Sequence, residues 1–210
     1  MKESEAALLD GGRKLPVMEE FYTLQGEGYN MGKAAYFVRV GGCDVGCAWC
    51  DSKESWNARL FPPVEVEKVA ERAAQTQAKT VVVTGGEPTL YPLGFFTKVL
   101  KAKGIKVMLE TSGAHPLTGN WDWICLSPKK NSPPRPDIYS RAHELKVIIE
   151  KKSDLQWAEK NAQQVSENCH LFLQPEWSVS EVILPVLIDY VMQHPQWRIS
   201  LQAHKYMRIP

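Results

Sequence analysis

Short apolar runs alternate with amphipathic segments along most of the chain. Residues 80–84 form a continuous β-branched run, which is typical of a strand buried on both faces of a parallel sheet. In residues 66–74 the apolar positions recur at i, i+3, i+4, i+7 and i+8, which predicts an amphipathic helix. The same patterns predict strands at 36–40, 105–109, 123–126, 145–149, 170–173 and 198–201, and helices at 93–102, 154–165 and 179–193.

Strands outnumber helices because residues 112–122 and 128–143 contain no convincing amphipathic pattern. Parallel strands are normally joined by right-handed helical crossovers. We therefore predict a single α/β domain over residues 1–210, a partial (β/α) barrel with six parallel strands and a reduced helix complement. The two helix-poor loops should lie over the sheet rather than pack beneath it. Residues 1–14 should form a loosely held polar tail, and residues 15–22 a short extended piece.

The charge balance excludes several classes of partner. The 210 residues carry 25 basic and 24 acidic side chains, which is not the basic footprint of a nucleic-acid binder. No apolar run approaches the length of a membrane span, and the first residues are too acidic for a signal or transit peptide. We expect a cytoplasmic protein in a reducing compartment, with no direct nucleic-acid or membrane partner.

Three of the five cysteines fall within eight positions. Cys43, Cys47 and Cys50 have the spacing C-x3-C-x2-C and directly follow the predicted strand at 36–40. Simple ferredoxins use four thiolates for a cubane cluster, so three thiolates would leave one iron open for another ligand. Zinc with a fourth histidine ligand is the alternative, although no second ligand pair is present. Cys125 is predicted to be a buried strand residue that behaves as a small hydrophobe, and Cys169 lies beside His170 at the start of a predicted strand.

Polar and glycine-rich segments follow the predicted strands. The cysteine loop follows the first strand, residues 85–88 the second, 110–112 the third, 127–129 the fourth and 174–176 the sixth. In parallel α/β folds, ligands gather at the carboxyl ends of the strands. These segments therefore predict one shared site.

The cysteine spacing with Trp49 resembles the radical S-adenosylmethionine (SAM) superfamily, and residues 85–88 resemble its GGEP motif. The resemblance implies a 4Fe–4S cluster on Cys43, Cys47 and Cys50 and SAM as the second cofactor. It also implies a set of SAM contacts at Trp49, Asp51, Gly85, Gly86, Glu87, Glu110, Ser112, Ser127, Pro128, Lys129 and Gln174.

A narrower resemblance covers about residues 21–174. The segments 25–28 (QGEG), 50–52 (CDS), 127–129 (SPK) and 145–147 (LKV) are similar to the 7-carboxy-7-deazaguanine synthase family. The resemblance implies a lyase that converts 6-carboxy-5,6,7,8-tetrahydropterin to 7-carboxy-7-deazaguanine. Hydrogen abstraction at C6 would precede ring contraction and loss of ammonia. The product would enter queuosine and related 7-deazapurine pathways of tRNA modification.

The same resemblance implies Mg²⁺ at Ser52, or less favourably at Asp51, and a homodimer served by a one-electron donor such as flavodoxin or ferredoxin. Arg39 could pair with a substrate carboxylate, and its alternative is a surface salt bridge, which would be unusual inside an apolar strand. The implied substrate contacts are Leu24, Gln25, Gly26, Glu27, Arg39, Thr84, His204 and Pro210.

Two other functions stay open at this point. A radical activase that installs a glycyl radical on a partner protein shares the cysteine loop, but would not be expected to carry QGEG or CDS. A zinc-stabilised interaction module is the non-enzymatic alternative, and it would contain no iron or sulfide.

Overall fold

The computed structural model describes residues 9–210, and one sheet of nine strands runs through this part of the chain. The strands are β1 (Lys14–Leu24), β2 (Ala34–Val40), β3 (Pro63–Glu65), β4 (Thr80–Gly85), β5 (Lys106–Thr111), β6 (Trp123–Leu126), β7 (Glu144–Ile149), β8 (His170–Pro175) and β9 (Trp197–Ile199). The helices are α1 (Val66–Ala74), α2 (Gly94–Ala102), α3 (Pro136–Tyr139), α4 (Asp154–Ala162), α5 (Ser180–Gln193) and α6 (Ala203–Met207).

The strand order is β3-β1-β2-β4-β5-β6-β7-β8-β9. Each neighbouring pair from β2 to β9 is parallel, whereas β1 runs antiparallel to both β2 and β3. The six predicted parallel strands are therefore present, and β9 extends them. The prediction of an open, partial barrel with few helices is confirmed.

The amino-terminal part of the sheet differs from the prediction. The short extended piece expected at 15–22 is an eleven-residue strand, β1, whose Phe21 ring stacks on Phe37 of β2 with centroids 5.3 Å apart. The edge strand β3 was not predicted, because its three residues carry no periodic signal. Of the predicted loose tail, residues 1–8 lie outside the described residues, whereas Leu9 is buried in the core.

The two faces of the sheet have different chemistry, because successive side chains of a strand point to opposite faces. Val38, Val83 and Leu109 pack with α1 and α2 in one apolar cluster. Leu145 and Val147 belong to a second cluster on the same side, with residues of α4 and α5. The alternate positions face the concave side of the sheet, where polar residues follow the apolar ones towards the ends of four strands, at Arg39, Thr84, Glu110 and Gln174, and where Lys146 lies in the middle of β7.

The two helix-poor connections contribute apolar side chains to the clusters on the helix side, whereas His115 and Asn131 of the same connections contact the cysteine loop. Trp121 belongs to the cluster formed by α1 and α2, and Ile138 and Tyr139 belong to the cluster formed by α4 and α5. These apolar side chains cover sheet area that a full crossover helix would otherwise cover. The concave side is thereby left open at the strand ends.

No helix within residues 9–210 is both long and apolar enough to cross a membrane.

Candidate active site

One cavity lies at the carboxyl ends of the parallel strands and brings together nearly all of the predicted site residues. Its wall includes the three clustered cysteines, Asp51, Ser52 and all eight predicted substrate contacts. Pro128 instead borders a neighbouring pocket on the Trp49 and Cys47 side of the cysteine loop. The other predicted SAM contacts line the main cavity: Trp49, Asp51, Gly85, Gly86, Glu87, Glu110, Ser112, Ser127, Lys129 and Gln174.

The cysteine loop presents three free thiols to this cavity. Cys43, Cys47 and Cys50 are half-buried, and burial raises the pKa of the Cys43 and Cys47 thiols. Within residues 9–210, no three histidine, cysteine or acidic side chains converge on a single-ion position. A cubane does not require such convergence, because each thiolate binds a different iron. The donor set therefore fits a three-cysteine cluster.

Trp56 gives a second indication that the cavity is built for a bound group. Its indole Nε1 is buried without a hydrogen-bond partner in the described part of the chain, and the residue borders the cavity. Buried donors in native proteins are nearly always paired. An acceptor atom in the cavity would complete this one.

Gly85 and Gly86 fasten the end of β4 to the cysteine loop. A Cβ on Gly85 would collide with the backbone of Val40, and a Cβ on Gly86 with the carbonyl oxygen of Gly42. Gly85 also has φ 141°, which disfavours any other residue. The backbone that approaches these glycines so closely is the chain's own.

Glu87 is 1% exposed, and its carboxylate accepts hydrogen bonds from five protein donors. These are the amide and hydroxyl of Thr89 (2.9 and 2.6 Å), the hydroxyl of Thr111 (2.5 Å), and the amide and hydroxyl of Ser112 (2.8 and 2.5 Å). The side chain thus holds the ends of β4 and β5 together beneath the cavity.

Lys129 lies beside the cysteine loop. Its Nζ donates to the carbonyl oxygen and hydroxyl of Ser127, at 2.6 and 2.7 Å, and lies 5.6 Å from the centroid of the Trp49 ring. Burial lowers the pKa of the Lys129 ammonium, and the Cys47 thiolate opposes this effect. The Lys129 amino group therefore lies next to the thiols, held by Ser127 and the Trp49 ring.

The opposite wall of the cavity is formed by the segment after β1 and by the inner side of the sheet. Lys146 of β7 is 4% exposed and forms an ion pair with Glu27. Burial by itself would raise the pKa of Glu27, but the Lys146 ammonium holds that pKa below its ordinary value. Burial likewise opposes the charge on Lys146, yet Glu27 and other acidic groups raise its pKa well above the ordinary value. The pair is therefore ionised.

Glu110 connects two predicted substrate contacts. One oxygen of its carboxylate accepts a hydrogen bond from Gln25 Nε2 at 2.8 Å, and the other accepts one from Thr84 Oγ1 at 3.1 Å. Its predicted role is contact with SAM, and the structure bonds it to the predicted substrate side of the cavity.

Arg39 makes the contact that the sequence offered as its alternative. Its Nε donates to Glu19 Oε1 at 2.6 Å, and the Glu19 side chain is 45% exposed. The Arg39 side chain is nevertheless only 22% exposed and borders the cavity. Because a guanidinium has five N–H donors, this bond leaves donors for a ligand.

The carboxyl-terminal segment covers the mouth of the cavity. The Ala203 amide donates to the Gly26 carbonyl at 2.9 Å, and His204 packs so closely that a Cβ on Gly26 would collide with its ring. Ser200 Oγ accepts from the Gly28 amide at 2.9 Å and donates to Gln174 Oε1 at 2.7 Å. The QGEG loop and the chain terminus therefore form one wall.

Comparison with known proteins agrees with the resemblance seen in the sequence. A family model described as the Radical SAM superfamily matches residues 37–153. A 7-carboxy-7-deazaguanine synthase of Flavobacterium psychrophilum is 56% identical over 209 residues, covering 100% of this chain and 99% of that protein. The chain belongs to the 7-carboxy-7-deazaguanine synthase family of radical SAM enzymes.

More distant members of this synthase family are also similar to this chain in sequence and in fold. The Escherichia coli (strain K12) 7-carboxy-7-deazaguanine synthase is 32% identical over 222 residues, covering 92% of this chain and 98% of that protein. The crystal structure of QueE from Escherichia coli matches with a TM-score of 0.80 and 29% identity, covering 97% of this chain and 100% of that one.

Membership in this synthase family confirms the predictions of a radical SAM enzyme, a lyase with a 4Fe–4S cluster and SAM as cofactors, acting on a small molecule. It sets aside the zinc module. The roles of individual residues remain predictions, which the shared cavity supports.

The sequence reasoning missed several residues of the cavity wall. Lys146 could have been predicted, because a lysine between apolar residues of a predicted buried strand is unusual and indicates a functional site. Gln202 had a weaker signal through its position beside His204. The remaining members are apolar or small and could not be separated from ordinary core residues: Phe21, Phe37, Val45, Trp56, Thr111 and Ile148.

Proposed function

We propose that the chain converts 6-carboxy-5,6,7,8-tetrahydropterin to 7-carboxy-7-deazaguanine with loss of ammonia. The observation that carries the proposal is a single cavity in which three free cysteine thiols face an ionised carboxylate, a guanidinium and the chain terminus. The full-length similarity to proteins named for this product supports the same substrate and product.

Cys43, Cys47 and Cys50 would hold the cluster, and SAM would lie against residues 85–87 and 127–129. When bound, this pair of cofactors supplies the one-electron chemistry that removes a hydrogen atom from the substrate. The protein contributes binding, orientation and exclusion of water. Gly85 and Gly86 contribute by packing the cysteine loop against the end of β4, and Glu87 contributes by joining the ends of β4 and β5.

The pterin would lie between the cysteine loop and the Glu27 side of the cavity. The Glu27 carboxylate can accept hydrogen bonds from adjacent ring and exocyclic N–H groups, and the free Arg39 donors can pair with the substrate carboxylate. His204 and the carboxyl-terminal segment through Pro210 would close over the ligand and exclude water.

Mg²⁺ would bind at Ser52 together with the substrate carboxylate and water molecules. Mg²⁺ prefers oxygen ligands and commonly keeps several waters, so one hydroxyl from the protein is sufficient. Asp51 is the less favoured ligand because its carboxylate already lies 3.7 Å from Lys205 Nζ and 3.4 Å from Gln202 Nε2.

We also propose a homodimer in the cytoplasm, reduced by a one-electron donor such as flavodoxin or ferredoxin. The three free thiols of the cysteine loop agree with a reducing compartment.

The deciding experiment is an anaerobic assay of reconstituted protein with reductant, SAM and carboxytetrahydropterin. We expect 7-carboxy-7-deazaguanine and ammonia in equal amounts. Turnover should fall after chelation of divalent ions and return with Mg²⁺, and Ser52→Ala should slow turnover while leaving iron content unchanged. An enzyme that cleaves SAM yet leaves this pterin unchanged would contradict the proposal and would favour the glycyl-radical activase.

A further inference from the structure

Lys146 has no role in the function described so far, although it lies at the centre of the inner face of the sheet. It follows Glu144 by two positions on β7, so both side chains point to the concave side. The groups that face Lys146 come from four segments: Glu27 after β1, Glu110 of β5, Cys125 of β6 and Glu144 of its own strand. Three of these four groups are carboxyl groups.

Glu110 and Glu144 are held by donors other than Lys146, whereas Lys146 acts on Glu27, which Gln202 also faces. Glu110 accepts from Gln25 and Thr84, as described above. Glu144 accepts from the Tyr29 amide and from Trp123 Nε1, both at 3.2 Å, and burial raises its pKa. Lys146 forms its ion pair with the third, Glu27.

Glu27 and Glu110 both border the main cavity, and Glu27 is the one that is paired with Lys146. Its side chain is 16% exposed, whereas that of Lys146 is 6% exposed. Besides Lys146, the groups that face Glu27 are Gln202 and His204 from the carboxyl-terminal segment. The ammonium is therefore the more deeply buried partner, and the carboxylate is the one available to a ligand.

We propose that Lys146 is a positioning residue, which holds the Glu27 carboxylate in the cavity as an anionic acceptor for a planar ligand edge with adjacent N–H donors. The inference rests on the proposed function, because a pterin presents such an edge. An ionised carboxylate accepts on both oxygens, whereas a protonated one carries a donor that opposes one of the two N–H groups. Lys146 thus determines which ring edges the site can bind.

The test compares Lys146→Met with Lys146→Arg, Glu27→Gln and a matched control, Lys98→Met, which removes an exposed lysine from α2. Pterin affinity of the anaerobic holoenzyme is measured across roughly pH 6 to 8. We expect Lys146→Met to weaken binding about thirtyfold or more, the usual loss when one partner of a buried charged pair is removed. SAM binding and slow SAM cleavage without substrate should remain, and Lys146→Arg should restore part of the affinity.

The pH dependence separates positioning from a structural role. Without the ammonium, burial raises the pKa of Glu27, so in Lys146→Met the pterin affinity should fall further as pH falls through that raised pKa. Glu27→Gln should weaken binding without this slope. An unchanged affinity in Lys146→Met, or a loss with no pH slope, would overturn the proposal.

A stability measurement keeps this result separate from the proposed function. A buried carboxyl whose folded pKa is raised stabilises the protein below its unfolded pKa, and the stability is lost as pH rises through the folded pKa. The Tm of Lys146→Met should therefore fall between roughly pH 5 and 8 relative to the double variant Lys146→Met/Glu27→Gln. If the wild-type protein binds no pterin, the proposed function fails, and this Tm difference still decides whether Lys146 keeps Glu27 ionised.

Discussion

The two walls of the cavity are held together by different kinds of contact. On the cysteine side, backbone packs directly on backbone: Gly85 and Gly86 lie against the end of β2 and the start of the cysteine loop. On the opposite side, long side chains reach between the segment after β1 and separate strands, as in the Glu27–Lys146 pair and the Gln25–Glu110–Thr84 bonds.

This difference indicates which functions can be changed separately. Backbone contacts leave no room for adjustment, because a protein interior is packed about as densely as an organic crystal. Side-chain ion pairs can be altered one partner at a time while the strands remain in place. We therefore expect substitutions on the cysteine side to lower cluster content. Substitutions on the opposite side should lower substrate affinity and leave the cluster unchanged.

The largest effect should come from the thiols. Cys47→Ala should remove the cluster and all SAM cleavage, because the loop has only three thiols and, within residues 9–210, no fourth one there can replace the missing iron ligand. The measurement is iron and sulfide content, about four each per chain in the wild type, together with 5′-deoxyadenosine formation. Cys125→Ala is the control and should retain both, because this thiol is buried beneath the cavity. Full iron content in Cys47→Ala would refute the ligand assignment.

Gly86→Ala tests whether the tight backbone packing supports the cluster. The added methyl group would collide with the Gly42 carbonyl and the Cys43 side chain, and such overpacking commonly costs about 1–3 kcal/mol. We expect lower iron content and weaker SAM binding together, measured on the anaerobically reconstituted protein. Gly94→Ala is a matched control, since the nearest atom to its Cβ would be 4.0 Å away. Normal iron content with SAM binding lost would instead indicate that Gly86 contacts SAM directly.

Substitution of Arg39 should give the smallest effect. It tests, on the substrate side of the cavity, whether substrate affinity can change while the cluster remains intact. Arg39→Ala should weaken pterin binding about thirtyfold, if the guanidinium pairs with the substrate carboxylate. Glu19→Gln removes the observed ion pair and should change affinity only a few-fold, because exposed pairs contribute about 0–1 kcal/mol. Iron content and uncoupled SAM cleavage should be unchanged in both. Equal and small effects of the two substitutions would mean that Arg39 is only a surface residue.

The positions of the strand ends were predictable because strand periodicity is a local property. A continuous β-branched run at 80–84 implied a buried parallel strand, and the polar residues that follow such runs had to meet at one edge of the sheet. The antiparallel strand β1 was underestimated, since its half-buried pattern resembles that of an ordinary extended segment. Its length follows from pairing with β2, which sequence periodicity does not record.

By itself, the sequence predicted the cluster ligands, the role of the glycines and the carboxyl-end location of the site, because each depends on residues close together in the chain. The tertiary structure decided which partner each charged side chain has. Glu27 and Lys146 are 119 positions apart, and Arg39 and Glu19 lie on neighbouring antiparallel strands. Charge pairing depends on distance in space and on burial, and both are set only when the strands assemble.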